Sequence, residues 1–220
     1  MAEALRYDVR PVTAGQWDEL AAFFGASGAY SNCWCTWWRV TAKEFSAGCA
    51  SSGEGNREVL RRLTVEGRVP GLLAYEAGRG DADRDGSGAA DDNEAPATPL
   101  GWVSVAPRPQ FGRISRSPNI KPDQGDDFAD PTVWAVVCFW VPRANRGRGV
   151  SRALLDGAAA YAFEHGAAVV EAYPVDTQGA RTQAASIYTG TVPMFAAAGF
   201  REVLRRGGKR AVMRRYREQT

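Results

Sequence analysis

Arg143-Ala144-Asn145-Arg146-Gly147-Arg148-Gly149-Val150-Ser151 is the stretch that decides the fold. It follows Thr132 to Val141 (Thr-Val-Trp-Ala-Val-Val-Cys-Phe-Trp-Val), a nearly all-apolar run that predicts a central strand buried on both faces. It precedes Val150 to His165, where Leu154, Leu155, Ala158, Tyr161 and Ala162 recur at helical spacing. Two glycines at such a strand-to-helix junction let the backbone approach a ligand without interference from Cβ atoms. The helix start adds unpaired N–H groups and the positive end of its dipole, and Arg146 and Arg148 add charge. The junction therefore reads as an anion cradle, with a basic glycine turn serving solubility as the alternative. It is not a P-loop, because Gly-Lys-Ser/Thr is missing, and the third glycine of a dinucleotide fingerprint is absent.

Working outward, Tyr7 to Thr13 reads as a first strand. Thr13 then caps a helix that carries Trp17, Leu20, Ala21 and Phe24. Cys33-Trp34-Cys35-Thr36-Trp37-Trp38 places three tryptophans within five residues. Asn56 to Glu66 predicts a second helix, and Gly71 to Glu76 a strand that returns at Leu100 to Ala106. Gly78 to Thr98, rich in Gly, Ala, Asp, Ser and Pro, predicts a disordered insertion at the tip of that antiparallel hairpin. Ala168 to Tyr173 is a further strand, and Thr191 to Ala198 a short helix closed by Gly199. Phe200 to Leu204 and Arg210 to Tyr216 complete the chain as two strands. The order β-α-α-β-β-β-α-β-α-β-β is that of a mixed α/β layer fold.

The chain has 220 residues, 45% apolar and 24% charged, which suits one domain spanning residues 1–220. A net charge of +2 implies neither nucleic acid nor an acidic membrane as partner. No apolar run reaches the ~18–20 residues of a membrane span, and Met1 to Arg6 holds no signal-peptide stretch, so a cytoplasmic location is expected. The one histidine, His165, stands before Gly166 at a predicted helix end, where a capping role suits it. Ser-His-Asp and Cys-His chemistry then lose their base, and two-histidine zinc sites are impossible. Cys33, Cys35, Cys49 and Cys138 read as reduced thiols rather than metal ligands, because a single Cys-x-Cys is a weak zinc signal. The arginines between Arg201 and Arg217 read as an exposed sheet face.

Arg146 to Ser151 resembles the Arg/Gln-x-x-Gly-x-Gly/Ala motif of the GNAT superfamily of acetyl-CoA-dependent N-acetyltransferases. Cys138 to Val141 is similar to that family's fourth strand. Met194-Phe195-Ala196-Ala197-Ala198-Gly199-Phe200 resembles its second motif, a helix ending in Gly-Phe. The resemblance covers nearly the whole chain. It implies a GNAT-like α/β fold, with a mixed, mostly antiparallel central sheet and helices on both faces.

The resemblance also implies roles. Arg146, Gly147, Arg148, Gly149, Val150 and Ser151 would bind the pyrophosphate of acetyl-CoA through main-chain N–H groups. Phe139, Trp140 and Val141, splayed from the next strand, would pair with the pantetheine amides and polarise the thioester carbonyl. Ser151 stands where Gly or Ala is usual. Phe195 stands where many members carry a tyrosine that protonates the departing thiolate, so Tyr188 becomes the candidate acid, with a wall of the pantetheine tunnel as its alternative role. Glu171 and Asp176, with Glu44 or Glu54, are candidates to take the acceptor's proton, and Asp176 also to bind it. Glu171 is expected to be buried. Trp34 and Trp38 are expected to hold the acceptor by stacking or cation–π contact, with a hydrophobic plug as the bland alternative for one or two of the three tryptophans.

The expected function is acetyl transfer from acetyl-CoA to a primary amine, of a small molecule, by direct transfer in a ternary complex. A non-catalytic acyl-CoA-binding sensor is the alternative that Phe195 keeps open. No metal is expected. The expected partner is the amine acceptor, without nucleic acid or membrane, and a homodimer is the alternative to a monomer.

Overall fold

The computed structural model describes residues 7–77 and 98–218. Seven strands form one sheet: β1 (Tyr7–Pro11), β2 (Leu72–Glu76), β3 (Gly101–Pro107), β4 (Val133–Trp140), β5 (Val169–Ala172), β6 (Arg201–Leu204) and β7 (Val212–Tyr216). Their order is β1-β2-β3-β4-β5-β7-β6, and every neighbouring pair is antiparallel except β4 and β5. Five α-helices accompany them: α1 (Trp17–Phe24), α2 (Ala42–Ala50), α3 (Glu54–Val65), α4 (Val150–Glu164) and α5 (Val192–Ala197).

Side-chain alternation along the strands sorts the core into two layers. Leu73, Trp102, Ala135 and Val137 pack with α1, α3 and the tryptophan segment. Their neighbours Leu72, Val103, Val105, Trp134 and Val136 pack on the opposite face against α4 and α5. β4, buried on both faces over its first six residues, is the central strand that its apolar run predicts. The hairpin expected around the insertion is present, with Leu72 opposite Val103. The insertion itself lies outside the described residues, apart from Thr98. Among the described residues no helix is long and apolar enough to cross a membrane.

One helix is absent from the sequence expectation. α2 follows the tryptophan segment, and a Thr41/Glu44 capping box begins it: the Glu44 N–H donates to Thr41 Oγ1, and the Thr41 N–H donates to Glu44 Oε2 at 2.8 Å. Thr-x-x-Glu was readable, but Ala42–Ala50 has too few large apolar residues to show a helical stripe. α2 packs on α3, and the Asn56 side chain ties both to the loop by donating to Asn32 O at 2.9 Å.

Two features of the sheet open the site. The β4–β5 pairing ends at Val136 opposite Ala172, while β4 continues to Trp140. The β3–β4 register also shifts beside Val105, where Val136 and Cys138 pair with successive β3 residues and Val137 is the extra one. Such a bulge bends the strand. Beyond it, β4 leaves its parallel neighbour and a gap forms.

Candidate active site

The cradle forms at the start of α4. Gly147 and Gly149 adopt φ of 74° and 90°, a region that favours glycine, and Gly149 is the N-cap. Open space surrounds the missing Cβ of Gly147, and that of Gly149 meets only the Tyr7 ring at 3.9 Å. The N–H groups of Gly147 through Ser151 find no acceptor among the described residues. Arg146 is anchored by donating its Nε to Val141 O at 2.9 Å, and the Tyr7 hydroxyl donates to Arg148 O. Free N–H groups, the helix dipole and Arg146 thus meet beside open space, as an anionic phosphate group requires, whereas Arg148 Nη2 lies 3.8 Å from Glu76.

From the cradle a cavity of about 1170 Å³ runs past the end of β4 to the tryptophan segment. Arg146 and Ser151 line one part, and Trp37, Trp38, Cys33 and Cys35 another, with Phe139, Trp140, Val141 and Tyr188 along it. The loop after β5 reaches back across the gap: the Phe139 N–H donates to Tyr188 O at 2.7 Å, and Val175 bridges to Thr191. This corrects the expectation for Phe139, whose N–H is engaged within the chain. Main-chain groups alternate in direction along a strand, so the Trp140 N–H faces β3 and the Val141 N–H faces the gap. Val141 is therefore the one of the three positions with a main-chain donor free for a ligand.

Tyr188 is half-buried in the cavity wall, with its hydroxyl beside the Trp38 indole. Burial pushes its phenol up to about 12, so it is a proton donor at neutral pH. Phe195 is wholly buried, with its ring edge-on to Phe139 (centroids 6.1 Å apart) and Phe200 (5.0 Å), and serves as core.

The tryptophans divide. Trp34 is 4% exposed, stacked on Trp17 and edge-on to Phe24, and does not line the cavity. Its expected acceptor role is corrected to a plug: Gly28 approaches the indole so closely that a Cβ there would lie 2.3 Å from Trp34 Nε1. Trp38 and Trp37 both line the cavity. The surrounding loop is strained, because Ala29, Ser31, Asn32, Trp34 and Cys35 all take positive φ. Nothing in the residue types announced that conformation.

Two expected acids lie elsewhere. Glu171 is 1% exposed, as anticipated, but its carboxylate is enclosed. Arg214 Nε donates to Oε2 at 2.7 Å, Arg108 Nη1 approaches the same oxygen at 3.4 Å, and the Tyr173 hydroxyl donates to Oε1 at 2.5 Å. Asp126 completes the cluster by accepting from both arginines. Glu171 thus balances buried guanidinium groups and does not line the cavity. Asp176 pairs with Arg205 at 3.0 Å, also outside it. Glu44 caps α2. His165 ends α4, its Nδ1 2.8 Å from Tyr161 O.

A thiol cluster escaped the sequence reading. Cys33, Cys35 and Cys138 all line the cavity, and the Cys35 and Cys138 sulfurs are 3.0 Å apart. Contact with Cys138 and burial push the Cys35 thiol up, so it remains protonated. Cys138 comes from β4, far along the chain, and no local spacing reveals the meeting. Cys49 turns instead toward Asn56 and Asn32.

No curated protein sequence matches the chain significantly. The GNAT domain of S. lividans PAT is 18% identical and superposes with a TM-score of 0.50 over 97% of this chain and 94% of that one, which shows a shared fold. A GCN5-related N-acetyltransferase from Kribbella flavida is 19% identical (96% and 97% covered, TM-score 0.49). A PaiA N-acetyltransferase from Thermoplasma acidophilum, solved in complex with coenzyme A, is 10% identical (97% and 100% covered, TM-score 0.49). The acetyltransferase (GNAT) family model matches residues 61–189, from within α3 to the Tyr188 segment and so across the cradle and the gap. With more than half of its length matched, this chain belongs to the acetyltransferase (GNAT) family.

Proposed function

We propose that the protein transfers the acetyl group of acetyl-CoA to the primary amine of a small molecule, directly, in a ternary complex. The observation that carries this reading is one continuous cavity that reaches the α4 cradle at Arg146 and Ser151 and holds a protonated phenol, Tyr188, in its wall. Pyrophosphate would sit on the N–H groups of Gly147 through Ser151. The pantetheine arm would follow β4 and meet the Val141 N–H, with its thioester beside Tyr188. Attack of the amine on the thioester carbonyl forms the C–N bond and breaks the C–S bond. Tyr188 then protonates the departing thiolate, the nitrogen gives up its proton to water, and water returns a proton to the phenolate. No acyl-enzyme is needed, so alignment of the two reactants supplies much of the rate.

Phe195 favours a second reading, an acyl-CoA sensor without turnover, because its buried ring cannot donate a proton. One experiment separates these readings and tests the cradle. Acetyl-CoA binding is followed by calorimetry and thiol release in an amine screen, for the wild type and for Gly149→Asp. That variant places a side chain and a negative charge among the cradle N–H groups, and affinity is expected to fall by ~2 kcal/mol, the scale of charge-assisted bonds. Unchanged binding by a folded variant removes the cradle assignment. Tight binding without thiol release in any amine favours the sensor.

A further inference from the structure

The charges around the cavity carry information about the acceptor. Arg113, Arg116, Arg146 and Arg210 line it, and no carboxylate, histidine or lysine of the described residues does so. By contrast, Arg108 and Arg214 meet Asp126 and Glu171, and Arg205 meets Asp176. Arg146 belongs to the cradle, which leaves three arginines near the tryptophans. Arg113 is rigid, its Nε and Nη2 donating to the carbonyls of Trp37 and Val40 and its guanidinium 3.7 Å above the Trp37 ring. Arg210 Nη1 donates to Tyr173 O and Thr189 Oγ1, which leaves Nε and Nη2 without an acceptor among the described residues. Its guanidinium stands 5.9 Å from the Trp38 ring. Arg116 is exposed, and its charge is felt by Glu44 at the start of α2 without a close ion pair among the described residues.

Three consequences follow. A polyamine or another cationic acceptor would enter a field of its own sign, whereas an anionic group would find complementary charge and free N–H donors. An alkylammonium, with an ordinary value near ~10.4, would also find no side chain among the cavity's described lining to remove its proton. An arylamine is already neutral at pH 7 and needs none. Trp37, Trp38 and Phe45, finally, offer flat apolar walls suited to a ring.

Resting on the transferase reading above, we propose that the acceptor is a small aromatic amine carrying an anionic group such as a carboxylate. Arg210, assisted by Arg116, holds the anion, and the indole of Trp38 holds the ring. The amine attacks as its free base, and its proton leaves to water after the C–N bond forms. Arg210 and Arg116 are specificity-determining residues in this arrangement, and neither takes part in bond making.

The test uses matched arylamines that differ in the carboxylate: 4-aminobenzoate against aniline and 3-aminobenzoate against 3-methylaniline, with spermidine as the cation. Binding is measured by calorimetry with and without saturating coenzyme A, and thiol release from acetyl-CoA is measured in parallel. The carboxylated member of each pair is expected to bind at least about tenfold tighter, the scale of a charge-assisted contact. Arg210→Gln should remove the difference without altering coenzyme A affinity. Arg116→Gln, at an exposed position, should reduce it and serves if Arg210→Gln does not fold. Equal binding within the pairs, or a preference for spermidine, overturns the proposal. The two readings fail separately: acetylation of aniline or spermidine as fast as 4-aminobenzoate keeps the transferase and overturns this acceptor class. Preferential 4-aminobenzoate binding without thiol release keeps the anionic site and removes the transferase.

Discussion

Two groups of arginines lie on the same side of the central sheet's chemistry and do opposite things. Around Glu171, Arg108 and Arg214 face two carboxylates and a tyrosine hydroxyl, and Arg108 has no exposed surface at all. Around the cavity, Arg113, Arg116 and Arg210 face indoles, carbonyls and open space. In the first group the charges are matched and desolvated together, which leaves nothing for a ligand and makes each member costly to remove. In the second group hydration keeps the charges tolerable until an anion arrives. A carboxylate partner thus separates these two groups, while Arg39, packed on Gln110, the Pro70 carbonyl and the Phe111 ring, shows that an arginine without one among the described residues can still be architectural.

The sharpest way to break this contrast is Arg108→Met. It would leave Glu171 and Asp126 with one guanidinium, and stability is expected to fall by ~3–5 kcal/mol in a urea titration. A loss below ~1 kcal/mol would show that the cluster does not hold the fold. The tryptophans give a similar contrast on a second pair of sites. Trp34→Ala, emptying a buried plug, should cost ~3–5 kcal/mol of stability. Trp37→Ala, at a partly exposed wall, should melt close to the wild type while raising the KM of the acceptor.

A smaller effect is expected at Tyr188. Tyr188→Phe should lower kcat by ~10²-fold, the usual scale of general acid help, with acetyl-CoA affinity unchanged because the ring is kept. A change of only a few-fold would reduce Tyr188 to a wall. Because burial holds the phenol at about 12, the wild-type kcat should show no basic limb from this group below pH 10.

The smallest effect is one of pH. Burial works to raise the Asp126 carboxyl, but the bonds from Arg108 and Arg214 outweigh it and hold the group below its ordinary value. A depressed value in the folded state means stability that is fully present above the unfolded value, ~3.9 for aspartate, and lost as pH falls through the folded value. Denaturant midpoints should thus be flat with respect to this group near neutrality and decline below about pH 4. An Asp126→Asn variant, less stable at pH 7, should show a shallower decline. Parallel acid curves for the two proteins would contradict the assignment.

Local signals in the chain determined the cradle, the apolar central strand, the α4 stripe, the hairpin around the insertion and the burial of Glu171. Each rests on residues close together along the chain: glycines at a strand-to-helix junction, an unbroken apolar run, a helical repeat, or an acid between apolar neighbours. What Glu171 does was decided only by tertiary structure, because its partners come from 63 residues upstream and 43 downstream. The same holds for the meeting of Cys35 with Cys138, the closing of the Phe139 N–H by Tyr188, and the sorting of Trp34 into the core and Trp38 into the wall. The physical reason is common to all of them. Backbone propensity and periodicity are short-ranged and survive in the sequence, whereas hydrogen-bond satisfaction and charge pairing depend on which distant side chains the packed sheet brings within about 3 Å.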